Sequence, residues 1–364
     1  MTDYRRQDAL VEKMGYNISE GVLYGRYIKY KVLDEILNIY MPNLTKEVNV
    51  FIDLVEFLKP IYKFDNIGNP MGILVCMVNL PLHYRHYFNR RGIKSNIFLI
   101  YSSNNSVNNT RYLSIYDNKH KIIKETNKLV FDIIHKNIEL LNTLTPYLPG
   151  IYLKLGTVEP TVIAYNLIDK FTRKGNLDYN NIFITSTDYA YQLPSIMSNV
   201  LLILKKSMVQ ENNKNEDNSF GVIQSNALET YIRFKTKQNI STYLDPRWVS
   251  PFMILNGLSC RDIKSLFSYN QAIKILHTIA SSYNIITPDT IFDVMNTLYK
   301  PKITKEGLYD RYHAIDIDYQ LNLYRQMPES IESNFLIDIY DNQALYDINN
   351  LYLKGTNNIE FYKL

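Results

Sequence analysis

Asn181-Ile182-Phe183-Ile184-Thr185-Ser186-Thr187-Asp188-Tyr189-Ala190-Tyr191-Gln192-Leu193 is the stretch on which the fold turns. Residues 182–184 are apolar and bulky without alternation, the pattern of a strand buried on both faces of a parallel sheet. The hydroxyls and the acid that follow stop the strand and suit the start of a helix. Three further runs read the same way: 48–54, 96–101 and 151–155. Helix-period segments lie between them at 73–91, 119–144 and 161–173. Strand and helix in alternation argue for a parallel sheet flanked by helices. From residue 246 the chain turns helical and strand-poor, with helices expected at 251–255, 259–266, 270–283 and 287–298. The fold class is therefore α/β with a helical C-terminal half. Three parts are expected: 1–45 as an N-terminal extension, 46–245 as the α/β domain, and 246–364 as the helical region with a C-terminal tail.

Composition narrows the function classes. The chain has 364 residues, 46% hydrophobic and 21% charged, with a net charge of +4; this excludes a wholly disordered polymer, which needs low hydrophobicity and high net charge. The start, Met1 to Asp8, carries charges where a secretory signal has an apolar run, so secretion by that route is not expected. The longest nearly apolar run, 71–82, is too short for a membrane span and reads as a buried helix. Cys76 and Cys260 stand far apart, which indicates neither a disulfide framework nor a zinc site and fits a reducing cytoplasm. Thirty-one tyrosines against one tryptophan suit an AT-rich genome, of which large bacteriophages are a common source. Two polar stretches, 102–110 and 210–219, read as exposed loops.

Functional side chains in open parallel sheets gather at the carboxyl ends of the strands. Asp53 ends one strand, in Phe51-Ile52-Asp53-Leu54, and Asp188 follows another. Either acid alone is equally at home as a helix cap. His83 and His86, at i and i+3 on a helix, have no third ligand near in sequence and read as ordinary helix positions.

Taken together these residues resemble the flap endonuclease and phage ribonuclease H (five-prime exonuclease, PIN-like) family. Ser186, Thr187, Asp188, Gln192 and Leu193 meet its pattern S-T-D-x-D-x-x-Q-L, with Ala190 at the second acid. Asp53 matches the first metal acid of its F-[IV]-D strand. Gly257-Leu258-Ser259-Cys260-Arg261-Asp262-Ile263-Lys264-Ser265-Leu266 is similar to G-D-x-x-D-N-I-x-G-[VL], which opens the family's helix-three-turn-helix, and 270–276 is similar to the helix after it. Both acids of that motif are replaced, by Leu258 and Arg261. The E-A-D-D-x-I-A element aligns on Ile163-Ala164, which puts Val158, Pro160 and Thr161 at its acids and Glu159 one position off. An acid expected after the second strand is absent from Phe98-Leu99-Ile100-Tyr101-Ser102. The resemblance runs in register over about 48–300, with 312–319 as its continuation in a C-terminal strand or turn.

The resemblance implies a PIN-like, flap-endonuclease-like fold whose metal site has decayed to remnants, Asp53, Asp188 and Glu159, of which Asp53 and Asp188 would hold metal weakly at most. Two-metal hydrolysis places two dications about 3.5–4 Å apart, and such ions are held by several hard oxygen ligands. Arg261 adds a permanent cation where the family has an acid. Nucleic-acid contacts are expected from Arg85, Arg90, Arg91 and Lys94, which could form a phosphate-facing wall, and from Lys264, Ser265, Ser268, Asn270 and Lys274 at the helix-three-turn-helix, where the resemblance also implies potassium. Three readings stand at this point. The first is a pseudo-nuclease of the host cytoplasm, kept for double-stranded or flapped DNA or as a component of a phage protein assembly. The second is an active, magnesium-dependent five-prime exonuclease or ribonuclease H of phage DNA replication, with Asp262, Asp178 or Asp117 completing the ligands. The third is a virion structural or interaction protein. None of them requires a membrane.

Overall fold

A computed structural model describes residues 28, 30–44, 46–54, 70–102, 138, 141–142, 148, 150–156, 158–173, 180–185, 187–205, 220–223, 227–236, 244–258, 263–283 and 285–326. Outside these lie Asp117, Asp178, Ser186, Cys260, Arg261 and Asp262, the loop at 210–219, all but Ser102 of the loop at 102–110, and most of the helix expected at 119–144.

In chain order the elements are α1 (Tyr30–Tyr40), β1 (Glu47–Asp53), α2 (Pro70–Arg90), β2 (Lys94–Ser102), β3 (Ile151–Gly156), α3 (Pro160–Arg173), β4 (Asn180–Thr185), a 3-10 turn (Asp188–Tyr191), α4 (Gln192–Ile196), β5 (Val200–Lys205), β6 (Phe220–Ile223), α5 (Ala227–Thr236), a 3-10 turn (Pro246–Trp248), α6 (Val249–Asn256), α7 (Tyr269–Ser282), α8 (Pro288–Leu298), α9 (Lys305–Ile315) and α10 (Ile317–Gln326). The six strands form one sheet in the order β3-β2-β1-β4-β5-β6. All neighbours are parallel except β5 and β6. The four runs read as strands are β1 to β4, four of the five parallel strands; the fifth, β5, and the antiparallel edge strand β6 are additions to that reading.

Strand parity sorts the core into two layers. Val48, Val50 and Ile52 of β1, with Ile97 and Leu99 of β2 and Ile182 and Ile184 of β4, face α1 and α2. Phe51, Phe98 and Phe183 face α3 and the helical C-terminal half. On this second face the register stacks three rows across β2, β1 and β4. Asn49 pairs with Asn96 and Asn181, Phe51 with Phe98 and Phe183, and Asp53 with Ile100 on the β2 side. The first row is a chain of amides: Asn96 Nδ2 donates to Asn49 Oδ1 at 3.0 Å, and Asn49 Nδ2 to Asn181 Oδ1 at 3.1 Å. In the second, Phe51 and Phe98 stack at 4.9 Å between centroids. A one-residue slip of any strand would set amides against apolar side chains, so the rows fix the register and with it the place of Asp53.

Some expectations are corrected. The helix expected at 259–266 is not one in its described part. Leu258 and Ile263 form an antiparallel bridge, with Leu258 N donating to Ile263 O at 2.9 Å and Ile263 N to Leu258 O at 3.0 Å. Gly257, at φ +81°, ends α6 and turns the chain out of helical geometry. Residues 312–319 form no strand; they span the end of α9 and the start of α10. Asp316 breaks the two helices apart and caps the second, its Oδ1 accepting from Tyr319 N at 2.9 Å. Within 1–45, α1 is a helix whose Leu33, Ile36 and Leu37 enter the core beneath the sheet.

Candidate functional site

Asp53 is the last residue of β1, only 3% exposed, on the face that looks toward α3. Its Oδ2 accepts from Thr185 Oγ1 at 2.8 Å, and Thr185 is the last residue of the adjacent β4. Thr185 Oγ1 in turn accepts from Thr187 N at 3.2 Å. The Thr187 hydroxyl caps the 3-10 turn that begins with Asp188. One relay of hydroxyls thus joins Asp53 to the turn bearing Asp188, and both acids stand at the carboxyl ends of neighbouring strands. Asp188 is partly exposed. Burial pushes the Tyr191 phenol up, and the Asp188 charge pushes it further.

Glu159 lies at the same edge of the sheet, beyond β3 and just before α3, where its carbonyl accepts from Val162 N at 2.9 Å. β3 is separated from β1 by β2. Val158, Pro160 and Thr161, which the alignment puts at acid positions, are all buried packing residues. Thr161 Oγ1 has no hydrogen-bond partner among the described residues. On the β2 side, Asp53 faces Ile100, itself fully buried. Among the described residues no group of three or more His, Cys, Asp or Glu side chains could hold a metal ion. The side chains described at this edge therefore do not fit a pair of divalent ions, whose four positive charges call for more carboxylates than are gathered here.

The two expected basic sets lie apart. α2 ends at Arg90, and Lys94 opens β2, so Arg90, Arg91 and Lys94 sit at the amino-terminal edge of the sheet, opposite Asp53. There Lys94 Nζ pairs with Glu47 at 2.9 Å. Arg91 pairs with Asp34 of α1 and donates to Tyr87 Oη at 2.6 Å. Arg85 packs by Gly150, just before β3, at that same edge. These four side chains do not form one wall with the helical half, because a helix that precedes a parallel strand must end at the edge where that strand begins.

Lys264, Ser265, Ser268, Asn270 and Lys274 are brought together, all exposed, along the turn between α6 and α7 and the first turns of α7. Ser268 and Gln271 make the capping box of α7. The turn is tightly built. A Cβ at Gly257 would lie 2.4 Å from Ile263 O. Leu266 N and Phe267 N donate to Leu255 O at 3.0 and 3.2 Å, and Asn256 Nδ2 to Phe267 O at 3.0 Å. A residue that the sequence did not single out completes it: Arg311 of α9, 5% exposed, donates from Nε to Ile254 O at 2.9 Å and from a terminal nitrogen to Lys264 O at 2.8 Å. Burial brings its guanidinium down to about 10, still charged at neutral pH. The carbonyls of Ile254, Leu255, Leu258, Ile263, Lys264 and Phe267 all have protein donors. Potassium, which the resemblance implies here, would share any of these carbonyls with a protein donor, since each carbonyl oxygen has two lone pairs.

A mostly parallel sheet with acids at neighbouring strand ends and a helix-turn-helix beside it defines the class of fold. No family model matches the chain, and no curated protein does. Among solved structures it is similar to the bacteriophage T5 flap endonuclease in a pseudo-enzyme–product complex with DNA and metal ions, with 10% identity, a TM-score of 0.49, and coverage of 84% of this chain and 99% of that one. It is also similar to the catalytic core of Rad2 in complex with DNA substrate, with 14% identity, a TM-score of 0.37, and coverage of 85% and 99%. Human GEN1 in complex with Holliday junction DNA gives 12% identity, a TM-score of 0.36, and coverage of 84% and 76%.

Proposed function

We propose that this chain is a catalytically degraded relative of the five-prime exonucleases and phage ribonucleases H, retained to bind nucleic acid. The observation that carries the reading is the row through Asp53. A buried carboxylate is held by a threonine hydroxyl on one strand and faced by isoleucine on the other, with buried Val158 and Thr161 where the family pattern has acids. A dication pair has too few carboxylates to neutralise it in such a setting. In this reading Asp53, Asp188 and Glu159 are remnants within 46–245. Binding belongs to 246–364, through Lys264, Ser265, Ser268, Asn270 and Lys274. Exposed lysines interleaved with hydroxyls and an amide suit phosphate oxygens, which position a duplex without reading its sequence.

The test is cleavage. The purified chain with magnesium or manganese, given a five-prime-flapped duplex and an RNA·DNA hybrid, should show no turnover above an Asp53→Ala/Asp188→Ala variant. Divalent-dependent cleavage lost in that variant would establish instead an active enzyme, with Asp117, Asp178 or Asp262 as ligands. Failure to bind duplex at low salt, with co-purification of other phage proteins, would move the assignment to an assembly component. No helix among the described residues is long and apolar enough to cross a membrane.

A further inference from the structure

The turn between α6 and α7 is one wall of a groove, and the other is the segment 299–303 that joins α8 to α9. The groove has a volume of about 520 Å³ and is lined in part by Ser265, Gln271, Tyr299 and Lys302, with no carboxylate in its lining. That is the size of a small-ligand cleft, with a hydroxyl, an amide, a phenol and an ammonium around it. Both walls are fixed. The Phe267 and Tyr299 rings meet at 5.5 Å between centroids, and Arg311 holds the Lys264 carbonyl behind the first wall. Within the second wall, Lys300, which flanks the lining residues Tyr299 and Pro301 without lining the groove itself, takes a left-handed conformation, φ +47°, and closes α8 through Lys300 N to Met295 O at 3.2 Å. Lys300 and Lys302 are both exposed, and neither has an ion-pair partner among the described residues. The nearby acid at the start of α8, Asp289, is compensated by Lys305 at 2.6 Å and by Tyr309 Oη at 2.9 Å.

We propose that this groove is a second phosphate-binding position, in which Lys302 and Lys300 hold a backbone phosphodiester of the same nucleic acid that lies on the Lys264 and Lys274 face. The proposal rests on the nucleic-acid reading above and adds a partner wall that the sequence motifs do not contain. Two uncompensated ammonium groups beside a carboxylate-free cleft favour an anion, and the groove is continuous at Ser265 with the exposed turn. Each phosphate neutralised by the protein releases counterions, so the logarithm of affinity falls against log salt by about 0.9 per contact on duplex DNA.

The test uses the full chain and a fluorescein-labelled DNA duplex, with anisotropy measured across a sodium chloride series. A Lys300→Asn/Lys302→Gln variant is expected to weaken binding and to make the slope shallower by about one to two; asparagine tolerates the left-handed backbone at 300. Arg90→Gln, at the opposite edge of the sheet, should leave the slope unchanged, and unaltered circular dichroism should confirm that both variants fold. If the unmodified chain binds but the lysine pair leaves its slope intact, the groove proposal fails and the nucleic-acid reading stands. If the unmodified chain binds no duplex even at low salt, both fail. Polyglutamate competing as well as unlabelled duplex at equal charge would replace the phosphodiester with an acidic protein segment.

Discussion

Replacing Arg311 by methionine keeps much of the side-chain volume and removes two charge-assisted hydrogen bonds from the interior. Ile254 and Lys264 are left with carbonyls that have lost their arginine donor. Ile254 lies in the last turn of α6, where helix carbonyls have no intrahelical donor. A buried unsatisfied carbonyl costs about 1–3 kcal/mol. Lys264 is exposed, so water can reach its carbonyl and reduce that share. The guanidinium was itself buried at a desolvation cost that methionine does not carry. These opposing effects leave a net destabilisation of about 2–4 kcal/mol. Urea unfolding measures that loss, and amide exchange locates it. Leu258, Ile263, Leu266 and Phe267, whose N–H groups close the turn, should exchange faster by more than the strands β1 and β4 do. Arg311→Lys should recover less than half, because an ammonium lacks the fixed fork that reaches two carbonyls at once. A methionine variant within about 0.5 kcal/mol of the unmodified chain, the range of an ordinary surface substitution, with unchanged exchange in the turn would refute the idea that Arg311 organises it.

Gly257→Ala places a Cβ against Ile263 O at 2.4 Å at a backbone angle that alanine resists; the expected loss is at least about 2 kcal/mol in urea unfolding, together with weaker duplex binding, and an unperturbed alanine variant would contradict the turn geometry. His83 is buried with its Nε2 against Ile28 O at 3.0 Å, a bond that requires the neutral ring to carry its proton on Nε2. Burial first, and His86 last, outweigh that bond and lower its pKa from 6.5 to about 4. The unfolded chain therefore binds the extra proton in that window: this stability is fully present above about pH 6.5 and is lost as pH falls toward 4. The whole effect is about 3 kcal/mol. His83→Gln keeps a donor and does not titrate, so the difference between the two unfolding free energies should be constant above about pH 6.5 and change with pH below it; parallel profiles throughout would disprove the assignment.

Four of the five parallel strands were legible as apolar runs, 48–54, 96–101, 151–155 and 181–185; burial on both faces explains the inner three, whereas β3, at the sheet edge, leaves Tyr152 and Lys154 exposed. Asp53 was legible for a related reason, being an acid at the end of a strand that otherwise excludes charge. Arg311 was not. Its partners are backbone carbonyls, which have no signature in the side-chain sequence, and an arginine between Asp310 and Tyr312 looks like any residue of a solvated helix. The non-helical path after Leu258 was hidden in the same way. Ile263 and Leu266 have helix spacing, yet a single glycine at positive φ and the carbonyl contact behind it decide the conformation.

Chain direction alone places the basic cluster of Arg90, Arg91 and Lys94 relative to Asp53. In a sheet of parallel strands each helix returns the chain from the carboxyl edge to the amino edge, so a cluster between a helix and the next strand belongs to the amino edge. Arg90, Arg91 and Lys94 occupy such a junction, between α2 and β2, and Asp53 ends β1 at the other edge. Connection order therefore separates them before any side chain is placed. Glu159, which follows β3, passes the same rule, as does Asp188 after β4. Direction along the chain thus sorts charges that composition pools. It puts Arg91 and Lys94 beside the acids of α1 and β1 with which they pair, and under the proposed function phosphate contacts fall to the lysines of the helical half. Neutralising Arg90 and Arg91 together should for that reason cost stability, through the lost contact of Arg91 with Asp34 and Tyr87, while leaving the salt dependence of duplex binding as it was. A slope made shallower by that pair, with the Lys302 variant inert, would put the nucleic acid on the wrong edge of the sheet for everything argued from Asp53 onward.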